Sequence, residues 1–238
     1  MISKFKHILK KQQFLPTYLG LLINPFYIIR KGLYTGIKKN SKYVQGKLLD
    51  FGCGNKPYES LFNVTEYIGL DIGESGFPEE KSAEVIYDGK KIPFEDNTFD
   101  SILASEVMEH VFNPDQVLME LNRVLKKDGK ILITVPFVWF EHEIPYDYAR
   151  YSSFGLEDLL KRNGFQIIKT EKTTNYLETV IQLFIAYIFN IVFPKNVYIQ
   201  YILHLFITFP LLVVLLFLSN LFPGSDKLYC NLVIVAKK

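Results

Sequence analysis

From Gly46 to Thr173, short apolar runs alternate with amphipathic stretches. KLLDF (47–51), YIGLDI (67–72), AEVIYD (83–88), FDSILAS (99–105), KILITVPF (130–137) and FQIIKTEK (165–172) read as six strands, the third the shortest in apolar content. Between the fourth and fifth, Val117, Leu118, Leu121, Val124 and Leu125 fall on one face of a helix. Asn113 suits its cap, Pro114 its first position and Gly129 its end. A second helix runs from Leu156 to Asn163 and closes on Gly164. Strands that alternate with helices predict an α/β fold with a doubly wound, mostly parallel sheet.

Residues 174–227 break this pattern. Between Thr179 and Ser225 the only formal charge is Lys195. The uncharged stretches 179–193 and 197–222 would be roughly 22 and 39 Å long as helices, against about 30 Å for a bilayer core. They predict an apolar helical hairpin, and the alternating LYCNLVIVAKK after it predicts a final strand. The chain therefore divides into a basic amphipathic segment (1–45), an α/β domain (46–173 and 228–238) and a membrane-associating insertion (174–227). The first segment is no secretory signal, because Pro16 and Pro25 break its apolar run and no small-residue cleavage site follows.

Composition sharpens this picture at one point. The 238 residues are 49% apolar and 22% charged, which excludes disorder, and two cysteines exclude a disulfide scaffold. The net charge is +2, yet residues 1–47 hold ten Lys or Arg and no acid, leaving the rest of the chain acidic. A basic end on an acidic body suits an anionic surface such as lipid.

The most informative string is LLDFGCGNKPY. Asp50 precedes Gly52 and Gly54 at the end of the first strand, and Asp71 ends the second. Glycines there let a ligand approach the backbone, and a carboxylate on the adjacent strand tip can accept ribose hydroxyls. A dinucleotide oxidoreductase offers a related pattern. Its third glycine, however, corresponds here to Pro57, which suits a helix start better than a pyrophosphate seat.

Four blocks, LLDFGCGNKPY, YIGLDIG, YDGKKIPFEDNTFDSILASEVMEHV and LNRVLKKDGKILITVPF, resemble the class I S-adenosylmethionine-dependent methyltransferases of the type 11, small-molecule family. The resemblance implies a Rossmann-like, seven-stranded sheet, with the hairpin inserted before an antiparallel last strand that slots between the fifth and sixth. It implies S-adenosyl-L-methionine as cofactor. Asp50, Gly52 and Gly54 would shape the turn around its methionine part, Asp71 would hold the ribose, Asp88 would lie near the adenine and Ser105 would line the methionine end. Many relatives carry a third glycine where this chain has Lys56.

On the acceptor side, His110 and His142 follow the fourth and fifth strands and so share the cofactor's edge, whereas His7 and His204 fall in the apolar parts. His142, His110 and Glu109 are the catalytic candidates, a base being needed where the acceptor is a hydroxyl. Glu106, Glu109 and His110 stand at i, i+3 and i+4, one side of a helical turn. Their types would suit a divalent ion, but the same string packs the cofactor pocket of relatives with no known metal, and no metal site is assigned. The loop FVWFEHEIPYDYARYSSF reads as a substrate cover, with Trp139, Tyr146, Asp147, Arg150 and Tyr151 as pocket candidates.

The expectation is thus a membrane-associated methyltransferase with its catalytic domain in the cytoplasm. Its partners would be membrane lipids and a small-molecule or lipid-linked acceptor, an oxygen on a lipid, quinone or lipid-linked glycan, and no nucleic acid. The alternatives are an NAD-dependent oxidoreductase and a non-catalytic membrane adaptor that keeps the fold.

Overall fold

The computed structural model describes residues 11–72 and 82–238. The first ten residues of the basic segment, and Gly73 at the end of the second block, lie outside the described residues. In chain order the elements are α1 (Tyr18–Ile23), α2 (Tyr27–Asn40), β1 (Lys47–Phe51), β2 (Glu66–Ile72), β3 (Val85–Tyr87), β4 (Phe99–Ser105), α3 (Pro114–Val124), β5 (Leu125–Pro136), α4 (Ser153–Arg162), β6 (Gln166–Lys172), α5 (Tyr176–Val192), α6 (Val197–Ser219) and β7 (Asn231–Lys237). The chain forms two compact units. One comprises Gly36–Glu171 with Leu232–Lys238, the other Lys172–Asn231 with the chain up to Thr35.

The sheet has seven strands in the order β3-β2-β1-β4-β5-β7-β6. β1 pairs in parallel with β2 and β4, β2 with β3, and β4 with β5. β7 runs the other way. Lys238, past its end, donates its N–H to the Gly129 carbonyl near the start of β5 at 3.1 Å, and Thr173, past the end of β6, donates to Asn231 at the start of β7 at 3.0 Å. The central strands carry continuous buried runs: Leu48 and Leu49, Ile102 to Ala104, Ile131 to Ile133, and Leu232 to Ala236. Such runs are what a sheet covered on both faces requires. Leu118, Leu121 and Val124 of α3 are buried, as are Leu156, Leu159 and Leu160 of α4. The Ser152 side chain caps α4, and Gly164 (φ 83°) closes it.

One boundary differs from the sequence reading. α3 stops at Val124 rather than at Gly129, and β5 begins at Leu125. Phe99 pairs with Leu125 but Ser101 with Lys130, so residues 126–129 bulge out of register, with Asp128 at φ 62°. Leu125, the last position of the helical stripe, is fully buried as a strand residue. Either conformation would bury it, so periodicity alone could not find the break. Asn113 sits at the cap position of α3, but its side chain makes no capping bond.

The second unit is built around α5 and α6. Ile181, Ile185, Leu212 and Ile28 form its core, with Leu21, Tyr27 and Leu215 against it. Gln182, fully buried, donates to the Pro25 carbonyl at 3.0 Å and accepts from the Ile29 N–H at 3.1 Å. These bonds tie the amino-terminal residues and the apolar insertion into a single unit, where the sequence reading kept them apart. Asn175 and Glu178 form a reciprocal capping box at the start of α5. The two ends of the insertion are clamped: Tyr176 N–H donates to the Ser225 carbonyl at 2.7 Å, and Cys230 N–H to Thr174 Oγ1 at 2.8 Å.

Within the unit that holds the sheet, Arg123 of α3 organises the segment that follows Asp88. Its guanidinium donates to the Ile92 and Phe94 carbonyls (2.9 and 2.8 Å) and pairs with both oxygens of Glu120 at 2.8 Å, while Glu120 accepts the Ile92 N–H at 2.9 Å. A lysine cannot fork over these acceptors. Arg123→Lys should lower stability by about 1–3 kcal/mol, read as an earlier thermal unfolding transition. An unchanged transition would show that this segment holds without the fork.

Candidate active site

The site begins where β1 ends. Gly52 has φ 69°, and a Cβ there would lie 2.5 Å from a Val107 methyl group. The position therefore demands glycine twice over, for its backbone and for its neighbour. Gly54 (φ 49°) is different, because a Cβ there would meet nothing within 4 Å. The backbone at Gly54 faces open space, as a ligand cradle should. Lys56 also adopts a left-handed conformation (φ 49°). The turn that a third glycine would make easily is thus kept by a lysine, whose ammonium pairs with Glu84 and lies 5.7 Å from the centre of the Tyr67 ring.

Asp71, at the tip of β2, is nearly buried and holds this turn from the side. Its Oδ2 accepts the Gly54 N–H at 2.9 Å and its Oδ1 the Ile72 N–H at 2.7 Å. Asp50 lies inside β1, buried, and accepts the Tyr67 hydroxyl at 2.6 Å. Burial pushes its carboxyl up to about 7, against the Tyr67 hydrogen bond and the Lys56 charge, which pull it down. Asp88 is exposed at the end of β3, where it accepts the Lys90 N–H at 3.0 Å and turns the chain. Ser105, ending β4, shares a 3.0 Å hydrogen bond with Thr134 of β5.

A second cluster stands on the same edge. After β4 the chain turns through Glu106 (φ 54°), Val107 packs against Gly52, and Met108–His110 form a short 3-10 turn. Glu106, Glu109 and His110 do not share one helical turn as expected. The left-handed step at Glu106 rotates its side chain away, and its carboxylate accepts the Thr134 hydroxyl at 2.9 Å. His142, from the loop after β5, joins Glu109 and His110 instead, with a ligand-capable atom from each within 4.8 Å of the others. The His110 and His142 rings meet edge to face at 4.9 Å.

Glu109 is fully buried, and burial, followed by the nearby Glu106 charge, pushes its carboxyl well above the usual range. Burial lowers the pKa of His142, opposed by the neighbouring Asp147. For Asp147 itself burial opposes ionisation, but hydrogen bonds from Arg150 and from the His142 N–H bring it down to about 2. Asp147 and Arg150 thus hold each other: Arg150 donates to both carboxylate oxygens, and also to the Ala149 and Phe140 carbonyls. Read from sequence as pocket candidates, the two shape the loop. The loop in turn docks on the 3-10 turn, the Tyr148 and Ala149 N–H groups donating to the Glu109 carbonyl at 2.8 and 3.2 Å. Three residues of the site were not foreseen: Val107, Tyr67 and Thr134.

A family model described as the methyltransferase domain matches residues 49–133, the span from the glycine turn through β5. An uncharacterized protein of Methanocaldococcus jannaschii is 30% identical over 143 residues, covering 54% of this chain and 69% of that protein. The chain belongs to the class I S-adenosylmethionine-dependent methyltransferases. The methyltransferase is also 25% identical over 169 residues to malonyl-acyl-carrier protein O-methyltransferase of Legionella pneumophila, covering 61% of this chain and 60% of that enzyme's length. Its fold matches the solved structure of an S-adenosylmethionine-dependent methyltransferase from Archaeoglobus fulgidus, with a TM-score of 0.55, 17% identity, and coverage of 98% of this chain and 99% of that one. The oxidoreductase alternative gives way to the family match.

The residues present fit the family's cofactor, S-adenosyl-L-methionine. Gly54 leaves room for it beside a carboxylate already aimed at the turn. Asp71→Ala should weaken S-adenosylhomocysteine binding by about 1–3 kcal/mol, because a charged acceptor is lost. Isothermal titration of a folded variant with unchanged affinity would remove Asp71 from the site.

Asp50 makes a separate prediction. Its folded pKa of about 7 lies above the ordinary carboxylate value of about 4. Between those limits the folded state keeps a proton that the unfolded state has lost, so this group's contribution to stability falls as pH rises. Relative to Asp50→Asn, the wild type should lose thermal stability across that window. Parallel pH profiles would show that Asp50 does not titrate there.

Proposed function

We propose that this methyltransferase works at a membrane, with its catalytic unit on the cytoplasmic face, and methylates an oxygen of a lipid, quinone or lipid-linked glycan. The observation that carries the reading is the clamped apolar hairpin. α6 has 23 residues and a mean hydropathy of 2.6, and it alone among the described residues is long and apolar enough to cross a bilayer. Its length is roughly 35 Å and that of α5 roughly 26 Å. Ile191, Tyr198, Phe206 and Phe217 are each about 70% exposed, and monomeric soluble proteins rarely leave such a surface to water. Because the ends of the insertion are hydrogen-bonded together, chain that leaves the sheet after β6 returns for β7 on the same side. The basic residues of 1–47 favour anionic lipid and a cytoplasmic position.

When bound, the cofactor supplies a methyl group on a sulfonium, a good leaving group, so alignment provides most of the catalysis. In this reading Gly54, Asp71 and Ser105 hold the cofactor, Asp50 and Gly52 shape the turn beneath it and Asp88 borders the adenine. Glu109, His110 and His142 face the acceptor, orienting its oxygen and taking its proton.

The test has two parts. The full chain should stay with membranes through a high-salt wash and leave only with detergent, since apolar burial is not screened. Incubation with cofactor carrying a labelled methyl and a membrane extract should move label into the solvent-extractable fraction. Release by salt, with a dimer that dissociates on dilution, would make the hairpin a protein interface. Homocysteine-cofactor binding without any label transfer would leave a non-catalytic adaptor.

A further inference from the structure

The loop after β5 and the turn after β4 expose apolar side chains on one edge of the sheet. Phe112, just past the 3-10 turn, is 74% exposed, and Ile144 in the loop is 73% exposed. Phe140, Tyr146 and Tyr148 of the same loop are 45–50% exposed. The Phe112 and Tyr148 rings meet edge to face at 5.3 Å, which joins the two segments into one patch. Its backbone is well held. Tyr146 N–H donates to the Glu143 carbonyl at 2.9 Å, and Arg150 donates to the Phe140 carbonyl at 3.3 Å. A loop fixed by so many bonds could have turned these side chains inward. A contiguous apolar patch left in water marks an interaction surface.

Three observations choose the partner. The first is composition: three of the five side chains are phenylalanine or isoleucine beside two tyrosines, and rings with a polar tip suit the boundary between lipid and water. The second is connectivity. Thr173, past the end of β6, bonds to Asn231 at the start of β7, and Lys238, past the end of β7, bonds to Gly129 near the start of β5. β6 therefore finishes, and β7 starts, at the edge where β1, β4 and β5 finish. The chain enters and leaves the apolar insertion from the edge that carries this patch. The third is charge. Arg150 answers Asp147, but Glu141 and Glu143 are exposed in the loop. They disfavour a polyanion, and they limit how deep the loop can sink into hydrocarbon.

We propose that Phe112, Phe140, Ile144, Tyr146 and Tyr148 form a lip that seats in the headgroup boundary of a lipid bilayer, as a second membrane contact besides the hairpin. The inference deepens the membrane reading above and rests on it. The lip is tied to the acceptor-side residues by short bonds: His110 Nδ1 lies 3.0 Å from the Tyr146 carbonyl oxygen, and the Tyr148 and Ala149 N–H groups bond to the Glu109 carbonyl. Seating the lip thus sets the height of Glu109 and His110 over the membrane. An acceptor oxygen at the headgroup boundary then reaches them while its apolar part stays in lipid.

The chain carries its own probe, because its single tryptophan, Trp139, packs on Phe140 at 4.5 Å. The full chain would be reconstituted into phosphatidylcholine vesicles whose acyl chains are brominated either near the glycerol end or near the methyl end. Trp139 emission should be quenched more by bromine near the glycerol end, at low and at high salt alike, since apolar contact is not screened. Phe112→Ser combined with Ile144→Ser should lose most of the quenching while the chain still floats with the vesicles. Unchanged S-adenosylhomocysteine affinity in that variant reports an intact fold. Floating protein whose Trp139 is quenched by neither lipid overturns the lip and leaves the membrane reading standing, as does full quenching in the double variant or stronger quenching by the deep bromine. Unquenched emission that shifts with the protein-to-lipid ratio would assign the patch to a second copy of the chain instead. Protein that does not float would sink the lip and the membrane reading together.

Discussion

Val107 lies against Gly52 so closely that no side chain fits between them, and the candidate active site depends on that contact. It presses the turn after β4 onto the turn after β1, so the glycine turn and the Glu109–His110–His142 cluster are parts of one object. The left-handed residues at Gly52, Gly54, Lys56 and Glu106 all lie in these two turns. Only two of the four are glycines. Lys56 and Glu106 hold a conformation that costs a non-glycine residue about 1–2 kcal/mol, and each is secured by a partner, Glu84 for the first and Thr134 for the second.

The same edge keeps two carboxylic acids away from water, and their circumstances differ. Asp50 has the Tyr67 hydroxyl and the charge of Lys56 nearby. Glu109 has its backbone carbonyl engaged by the β5 loop but no donor on its side chain. The first is a supporting residue beneath the glycine turn, paid for locally. The second is a cost that the fold retains, at the one place where His110 and His142 converge.

Chain connectivity explains why the apolar insertion doubles back. A strand that enters antiparallel between β5 and β6 must be fed from the end at which β6 finishes, so whatever separates β6 from β7 has to return. Thr173, Thr174, Cys230 and Asn231 make the closure with short hydrogen bonds. Gln182 then binds the amino-terminal chain to the inserted helices through the Pro25 carbonyl and the Ile29 N–H.

The strands, the glycine turn and the positions of Asp50 and Asp71 were legible in the sequence, because alternation and left-handed glycines are set by local sterics. So was the apolar hairpin, since nearly fifty residues with one charge are a property of composition. The end of α3 was not, because Leu125 is buried equally well as helix or strand. Nor was the membership of the Glu109–His110–His142 cluster. His142 is separated from His110 by a helix and a strand, and Glu106 is turned away by its own backbone. Which side chains meet is decided when β4 and β5 pair and the loop after β5 folds back on Glu109. That pairing is a non-local event, and the spacing of residues along the chain carries no record of it.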